Sequence, residues 1–247
     1  MCMINVIIPM CGESKRFRDA DYTVPKFVLD VDGVPMYAAA VNSLKLTVPH
    51  RLYFVVNKAV CKEYNLNKNI KLHFPDAEII ELVNPTQGFA ETVMKTRHLV
   101  ETDNTGSLVV CCDQIVEYDS ERYNEMLGWK HIAGSLLTFH DESRDPKWTY
   151  ARIDVIEQIV NVACKTPISD TPICGIYHWR NSIWMYRDIA RILKNNIRTN
   201  NEFYLCDAAS IAVEHANKPW RSLAVDKMIP LGTPEDYEAY TNNNILF

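Results

Sequence analysis

Short apolar runs recur along the chain, and more polar segments with helical character separate them. The first run, Ile4–Met10, is rich in β-branched residues and ends in a polar loop containing Gly12. Continuous apolar runs of this length are typical of strands buried on both faces of a parallel sheet. The remaining runs of the first half are Leu52–Val56, Glu78–Leu82, Leu108–Cys112 and Ala133–Phe139. The segments between them that we predict to be helical are Met36–Leu46, Lys58–Asn65, Glu91–Val100 and Ser120–Lys130.

The pattern changes after about residue 145, where shorter strands of mixed or antiparallel type are expected. The predicted strands here are Tyr150–Asp154, Val160–Cys164, Cys174–Trp179 and one near Ser222–Val225. The predicted helices are Ile183–Asn195, Leu205–Asn217 and a short one that starts at Pro234 with Thr233 as its cap. Strands alternating with helices predict βαβ units. We therefore expect an α/β fold with an open, doubly wound, mostly parallel, Rossmann-like mixed sheet. Since no linker or repeat divides residues 1–247, we predict a single domain.

Composition and charge exclude several classes of function. Hydrophobic residues make up 47% and charged residues 23% of the 247 residues, which is ordinary for a globular protein. The net charge of −5 gives no basic surface for a nucleic acid or an anionic membrane. No window approaches the roughly 20 apolar residues that span a bilayer. The eight cysteines show no CxxC pair, so we expect reduced thiols in a cytoplasmic protein.

A loop suited to phosphate binding follows the first strand. Ligands of open α/β sheets bind at the carboxyl ends of the strands. Gly12 would let backbone N–H groups approach a phosphate there. Arg16 offers a planar fork and Lys26 a point charge, and two such cations would offset the charge of a triphosphate. A solvated basic loop is the alternative, because the loop matches neither the GxxxxGK[ST] nor the GxGxxG phosphate motif.

From this loop onward the sequence resembles the sugar-phosphate nucleotidyltransferase family. That family has the pattern Ala-Gly-x-Gly-[Ser/Thr]-Arg-[Leu/Phe], then Pro-Lys, then Gly-Lys-Pro-[Met/Leu]. The stretches that match it here are Cys11–Phe17, Pro25-Lys26, Gly33–Met36, Gly175–Tyr177, Asn201–Asp207 and Leu231–Asp236. Three departures stand out: Ser14 replaces the second loop glycine, Cys11 replaces alanine, and Cys164 replaces the glutamate that precedes a family lysine. The resemblance is to the short form that lacks a C-terminal hexapeptide β-helix.

The resemblance implies roles for individual residues. About residues 1–145 would bind the nucleotide, and about residues 146–247 would bind the acceptor. Expected nucleotide-binding residues are Met10, Cys11, Gly12, Glu13, Ser14, Arg16, Lys26, Gln87, Gly88, Ala90 and Asp113. Expected acceptor-binding residues are Tyr150, Lys165 and Gly175, and the expected catalytic residues are Arg16, Lys26 and Lys165. Asp113 and Asp207 are the expected ligands of Mg²⁺, a cation that prefers oxygen donors.

Each of these residues also has an ordinary structural interpretation. Asp113 could simply follow a strand in a turn, and Asp207 could cap a helix. Lys165 could be an exposed strand residue. Gln87 could lie in a common helix-entry loop, although its amide suits a base edge and Gly88 would let the ring approach the backbone. Trp148, Trp179 and Trp184 could line a sugar site, but core packing is their commoner role.

The expected activity is transfer of NMP from an NTP to a phosphorylated small molecule, with a sugar 1-phosphate favoured, and release of pyrophosphate. The resemblance implies a place in nucleotide-sugar and polysaccharide biosynthesis. It leaves open whether CTP, UTP, TTP or GTP is used, and a homodimer is one option for assembly. The alternatives are a phosphocholine-type cytidylyltransferase, a non-catalytic nucleotide-binding protein and a glycosyltransferase. The last of these has a DxD candidate in Asp30-Val31-Asp32, which runs directly into the Gly33 turn and therefore more simply flanks it.

Overall fold

A computed structural model describes residues 3–100 and 105–242 of the chain. The strands of this part are β1 (Ile4–Met10), β2 (Asp30–Val31), β3 (Val34–Pro35), β4 (His50–Asn57), β5 (Glu78–Leu82), β6 (Gly106–Val110), β7 (Gln114–Glu117), β8 (Gly134–Thr138), β9 (Tyr150–Ile153), β10 (Gln158–Ala163), β11 (Ile173–Trp179), β12 (Trp220–Ala224) and β13 (Lys227–Pro230). The helices are α1 (Lys15–Asp19), α2 (Met36–Ser43), α3 (Lys58–Glu63), α4 (Leu66–His73), α5 (Phe89–Met94), α6 (Ser120–Leu127), α7 (Ser182–Lys194), α8 (Leu205–His215) and α9 (Pro234–Asn242), with a 3₁₀ turn at Lys26–Val28.

Within the described residues, one nine-stranded sheet has the order β5-β4-β1-β6-β11-β8-β12-β10-β9. Strands β5, β4, β1 and β6 are parallel neighbours, and so are β8 and β12. Strands β11 and β10 are antiparallel to the strands on both of their sides, so the other seven share one direction. The mixed, mostly parallel sheet predicted from the sequence is confirmed.

Helices cover both faces of the sheet because its central strands are apolar on both faces. Along β1, Ile4, Val6 and Ile8 join the core that contains residues of α2, α4 and α6. Ile7 points the other way and joins the core that contains residues of α5, α7 and α8. Alternating side chains of one strand therefore enter two separate cores, which is the doubly wound arrangement.

The structure adds short elements that apolar periodicity did not reveal. The predicted helix Lys58–Asn65 ends at Glu63, because Asn65 adopts a left-handed conformation (φ 51°) and a second helix, α4, follows it. Helix α5 begins and ends earlier than the predicted Glu91–Val100. The small hairpin β2–β3 and the pair β7–β13 were not predicted, since segments of two to four residues are too short to show a period.

Among the described residues, no helix combines the length and the apolar character needed to cross a bilayer.

Candidate active site

Two neighbouring cavities open where β1, β5 and β6 reach their carboxyl ends. The first, which we call the cationic cavity, has a volume of about 300 Å³. Its wall includes Arg16, Lys26, Asp113, Lys147 and Lys165. The second, which we call the amide cavity, has a volume of about 470 Å³, and its wall includes Gly12, Pro85, Gln87, Gly88 and Arg198. Phe89, the first residue of α5, lies on the wall of both.

The loop after β1 presents its backbone toward open space. A Cβ built on Gly12 would meet no atom within 4 Å, so a ligand can approach the backbone closely. The loop accommodates Ser14 at the position where the resembled family has a glycine. Ser14 adopts the left-handed conformation (φ 51°), which costs a non-glycine residue roughly 1–2 kcal/mol. In return, its Oγ accepts a hydrogen bond from the Lys26 N–H at 3.1 Å and ties the loop to the next motif.

The other two residues of this loop have local partners. Glu13 is exposed and forms an ion pair with Arg18 at 3.2 Å. Cys11 donates from its Sγ to the Val55 carbonyl at 3.5 Å. Burial raises the pKa of Cys11 to about 12, so its thiol is neutral. Met10, at the end of β1, is buried in the core and lies on neither cavity wall.

Lys26 and Asp113 form an ion pair in the wall of the cationic cavity. Lys26 Nζ lies 2.6 Å from Asp113 Oδ2, and each side chain is about a quarter exposed, at 22% and 26%. Burial alone would raise the pKa of Asp113, but the Lys26 ammonium holds it below its usual value. Burial alone would lower the pKa of Lys26, but the Asp113 carboxylate raises it above the ordinary value. Both groups therefore stay charged across the neutral range.

The closing segment of the chain packs against this pair. The Leu231 N–H donates to the Asp113 carbonyl at 2.9 Å. A Cβ on Gly232 would lie 3.1 Å from Asp113 Oδ2, so a larger residue would require the carboxylate to shift by a few tenths of an ångström. Gly232 and Thr233, which belong to the stretch Leu231–Asp236 that matches the resembled family, thus contribute to the wall around Asp113.

Arg16 and Lys165 lie on the same wall. In the described part of the chain, no carboxylate lies within ion-pair distance of the Arg16 guanidinium. Lys165 donates from Nζ to the Lys147 carbonyl, and this Nζ lies 5.7 Å above the Tyr204 ring. Burial and the nearby Arg16 charge lower the pKa of Lys165 below its ordinary value. The wall of the cavity therefore carries four cations against two carboxylates, those of Asp113 and Asp236.

Gly175 and Tyr150, both expected at the acceptor site, have different surroundings. Gly175 lines the cationic cavity with φ +50°, and a Cβ there would lie 2.8 Å from Cys111 Sγ. Tyr150 is fully buried, lies off the wall, and donates its hydroxyl to the Asp145 carbonyl at 2.8 Å. The preceding Trp148 and Thr149 occupy the wall instead. Strand alternation turns Tyr150 inward, so the geometry does not favour a substrate contact there.

Asp207 lies in the first turn of α8, away from the wall that Asp113 helps to form. Its two carboxylate oxygens each accept a hydrogen bond from Thr199 Oγ1 at 3.2 Å. Burial raises the pKa of Asp207 above its usual value. Within residues 3–100 and 105–242, no group of three or more His, Cys, Asp or Glu is arranged to hold a metal. Asp113, on the cavity wall, still fits Mg²⁺, since this ion commonly takes one or two carboxylates and fills its remaining positions with phosphates and water.

The expectation that the thiols are reduced is wrong for one pair, because Cys164 and Cys206 form a disulfide. They are 42 residues apart in sequence, but the end of β10 meets the start of α8, and their Cα atoms are 5.8 Å apart. Thr149 donates to Cys206 Sγ at 3.3 Å. Lys165 follows one cysteine and Leu205 precedes the other, so the bond lies directly behind the cationic cavity. It occupies the position where the resembled family has a glutamate.

The amide cavity depends on a junction between two distant segments. Phe203 donates its N–H to the Gln87 carbonyl and accepts from the Ala90 N–H, each at 2.9 Å. A Cβ on Gly88 (φ +136°) would lie 2.6 Å from the Phe203 nitrogen. The close approach of the Phe203 backbone therefore requires a glycine at position 88. The reason expected from the sequence was different, namely contact with the nucleobase. Ala90 is buried and lies on neither wall.

Sequence reasoning assigned no role to Lys147, Tyr177 or Arg198, although all three line a cavity. Lys147 Nζ lies 3.8 Å from Asp145, 4.0 Å from Asp236 and 4.6 Å from the Trp148 ring centroid. Tyr177 did lie in the matched stretch Gly175–Tyr177, which was a signal for its position. No motif or period distinguishes Lys147 or Arg198. Of the other tryptophans, Trp179 is buried and Trp184 half-buried, both away from this site.

No protein-family model and no curated protein sequence matches the chain significantly. Solved structures do match it over nearly its whole length. A nucleoside-diphosphate-sugar pyrophosphorylase from Vibrio cholerae aligns with a TM-score of 0.76 at 22% identity and covers 96% of this chain and 100% of its own. An inositol-1-phosphate CTP transferase from T. maritima aligns with a TM-score of 0.72 at 16% identity and covers 100% of this chain and 99% of its own. A UDP-glucose pyrophosphorylase complexed with UDP-glucose aligns with a TM-score of 0.76 at 15% identity and covers 97% of each chain. At these identities the matches establish the fold, and the chain therefore has the fold of these pyrophosphorylases and this CTP transferase.

Proposed function

We propose that this protein is a nucleotidyltransferase that transfers NMP from an NTP to a phosphorylated small molecule and releases pyrophosphate. The observation that carries the proposal is the convergence of Arg16, Lys26 and Lys165 on one cavity beside an exposed glycine loop. A triphosphate that entered the cationic cavity would meet four cations, Arg16, Lys26, Lys147 and Lys165, within a wall that holds two carboxylates. The names of the matched structures support the same reaction class.

The positions of the cationic side chains suggest which substrate each of them would bind. The loop around Gly12 and the cations Arg16 and Lys26 are close to one another in sequence and space, so they would hold the triphosphate and offset charge on the leaving pyrophosphate. Lys165, which the second half of the chain contributes to the wall, would hold the acceptor phosphate. An acceptor phosphate oxygen would attack the α-phosphorus in line, and this step needs no protein nucleophile.

Asp113, with Asp207 as the second expected ligand, would hold Mg²⁺, whose charge would help to orient and neutralise the phosphates. Asp207 lies off the cavity wall, so this role requires its carboxylate to move toward Asp113. Lys26 is held in place by its ion pair with Asp113, so the cation would be positioned for the phosphates.

A sugar 1-phosphate is the acceptor that we favour, in nucleotide-sugar and polysaccharide biosynthesis. Two of the matched structures are named for nucleotide sugars. The third is named for inositol 1-phosphate, so other phosphomonoesters are alternative acceptors. A glycosyltransferase that uses Asp30-Val31-Asp32 is disfavoured, since Asp30 accepts from the Gly33 N–H at 3.2 Å within a hairpin and Asp32 from Tyr240. Neither carboxylate lies on the wall of either cavity.

We propose a cytoplasmic location because NTPs are supplied there. The Cys164–Cys206 disulfide opposes this, since cytoplasmic thiols are normally kept reduced. A homodimer stays a prediction from the resemblance, which sedimentation would test.

The deciding experiment is pyrophosphate release with Mg²⁺, in which CTP, UTP, TTP, GTP and ATP are crossed with a panel of sugar 1-phosphates and other phosphomonoesters. Release with one NTP and one acceptor class supports the proposal and identifies both substrates. Tight nucleotide binding without turnover on any acceptor would instead favour a non-catalytic nucleotide-binding protein. Folded protein that neither turns over nor binds any NTP would contradict the proposal.

A further inference from the structure

Arg198 holds the side chain of Gln87 in one orientation at the wall of the amide cavity. One Arg198 terminal nitrogen donates to Gln87 Oε1 at 2.5 Å. The other terminal nitrogen donates to the Asn201 carbonyl at 2.9 Å, and Nε donates to Asn196 Oδ1 at 2.7 Å. The guanidinium carbon lies 3.8 Å from the centroid of the Phe203 ring. A guanidinium fixed by three acceptors and one aromatic face is a rigid donor for the amide.

This contact determines which end of the Gln87 amide is available to a ligand. Arginine carries only donors, so the atom of Gln87 that it contacts must be the amide oxygen. The Nε2 group, which carries two N–H donors, is then left as the functional end. The usual ambiguity between the oxygen and nitrogen of a glutamine amide is removed here by chemistry.

Of the two cavities, the amide cavity suits the base of a nucleotide. The cationic cavity holds Arg16, Lys26, Lys147 and Lys165, which suit phosphates. The wall of the amide cavity carries prolines, glycines, Phe89 and the Gln87 amide, and its one cation, Arg198, is already bonded. Two carboxylates, Glu13 and Glu202, also line it and disfavour a phosphate there. The loop around Gly12 lies between the two and would carry the connecting phosphates. A flat heterocycle with a polar edge therefore belongs beside Gln87.

Building on the proposed function, we propose that Arg198 is a positioning residue that makes Gln87 select cytosine, so that the nucleotide substrate is CTP. Cytosine presents two adjacent acceptors, the ring nitrogen N3 and the oxygen O2, and an amide N–H₂ group can donate to both. Uracil and thymine carry an N–H at that ring position, and guanine carries an N–H at the corresponding N1. Adenine has an acceptor at N1 but a C–H where cytosine has O2, so it offers the N–H₂ group one acceptor instead of two. A donor facing a donor leaves both unpaired, which a site built for hydrogen bonding rejects strongly.

The test measures nucleotide binding by calorimetry with Mg²⁺ and without acceptor, comparing CTP, UTP and ATP. The wild type should bind CTP at least 10-fold more tightly than UTP, which corresponds to about 1.4 kcal/mol. In Arg198→Met the side chain still covers Phe203 but the amide is free to turn, so the CTP/UTP ratio should fall to within about 3-fold of unity. Arg198→Lys retains a donor for Oε1 and should restore part of the ratio. The control is Arg122→Met, which removes an exposed arginine that pairs with Glu157 and lies on neither wall.

Gln87→Glu gives a second, independent measurement if Arg198→Met does not fold. The carboxylate can still accept from Arg198, but it offers an acceptor to the base where the amide offered a donor. Binding of every nucleotide should weaken because of the added negative charge, and the CTP/UTP ratio should fall below one. Equal binding of CTP and UTP by the wild type, tightest binding of UTP or ATP, or an unchanged ratio in both variants would overturn the inference and leave the proposed function standing. Failure of the folded wild type to bind any NTP would contradict both.

Discussion

At the scale of single residues, the site depends on charges that are held in place before a ligand arrives. Ser14 fixes the Lys26 backbone, Asp113 fixes the Lys26 ammonium, and Gly232 leaves room for the carboxylate. Arg16 has no such partner among the described carboxylates, so its charge remains available to a phosphate. The chemistry of the cationic cavity thus rests on few side chains, and single substitutions should separate their roles.

Removal of either member of the Lys26–Asp113 pair should abolish most turnover. Lys26→Ala removes the cation expected on the leaving pyrophosphate, and Asp113→Asn removes the carboxylate expected at the metal. We expect each to lower pyrophosphate release at least 100-fold, or about 2.7 kcal/mol, while the protein stays folded. Lys62→Ala, in an exposed position of α3, is the matched control. Near-normal turnover of either variant would remove that residue from the mechanism.

The pH dependence of acceptor binding should report Lys165. The pKa of Lys165 is below the ordinary lysine value because of burial and Arg16, so its charge is lost at a lower pH than that of an ordinary lysine as the pH rises. The pKa of Lys26 is raised and that of Asp113 lowered, so their pair persists throughout this window. We therefore expect the KM for the acceptor to rise on the alkaline side while the KM for the NTP stays nearly constant. In Lys165→Arg the alkaline rise should disappear; its persistence would assign it to another group.

At the scale of elements, the disulfide joins the end of β10 to the first turn of α8 behind the acceptor side of the site. Lys165 follows Cys164, and Tyr204 and Leu205 precede Cys206, so both linked segments contribute to the cavity wall. Lys165 also adopts a left-handed backbone (φ 53°), which its surroundings must maintain. The bond is therefore placed to hold two wall segments in register.

Loss of the disulfide should loosen the acceptor side and destabilise the fold. For two cysteines separated by 42 residues, chain entropy gives at most about 4 kcal/mol. The double variant Cys164→Ser/Cys206→Ser should melt several degrees lower and show a raised KM for the acceptor, with nucleotide affinity nearly unchanged. Reductant should lower the melting temperature of the wild type toward that of the double variant and leave the double variant unaffected. A wild-type melting curve insensitive to reductant would show that the bond contributes no stability.

At the scale of the whole molecule, the two halves of the chain meet in one sheet and around one site. Strand β11, from the second half, lies between β6 and β8, from the first half. The junction of Gln87 and Ala90 with Phe203 joins the loop after β5 to the segment before α8. Near this junction, Gln87 and Arg198, 111 residues apart, are in contact on the wall of the amide cavity.

Gly88→Ala should disrupt that junction. The added Cβ would lie 2.6 Å from the Phe203 nitrogen, and the backbone conformation (φ +136°) is itself unfavourable for alanine. We expect at least about 2 kcal/mol of destabilisation and a larger loss of NTP affinity than of acceptor affinity. Gly12→Ala is the informative comparison, because a Cβ there meets nothing within 4 Å and should leave stability unchanged. Equal stability of the two variants, measured by thermal melting, would contradict the assigned role of the junction.

The sequence by itself determined the sheet and one side of the site. Apolar periodicity located the main strands, and the rule that ligands lie at the carboxyl ends of parallel strands located Gly12, Arg16, Lys26 and Asp113. These are local signals, because the apolar residues of a strand predict its burial and the polar residues that follow predict its end. Their functional roles remain predictions that the experiments above address.

Only the tertiary structure decided which distant segments meet. It joined Cys164 to Cys206, turned Tyr150 into the core, placed Asp207 beside Thr199, and brought Arg198 to Gln87. Each of these outcomes depends on packing between segments far apart in sequence, for which neither partner carries a periodic or compositional mark. The sequence therefore specifies strands and the polar residues at their ends, whereas side-chain orientation and contact across the site are fixed by the cooperative packing of the complete fold.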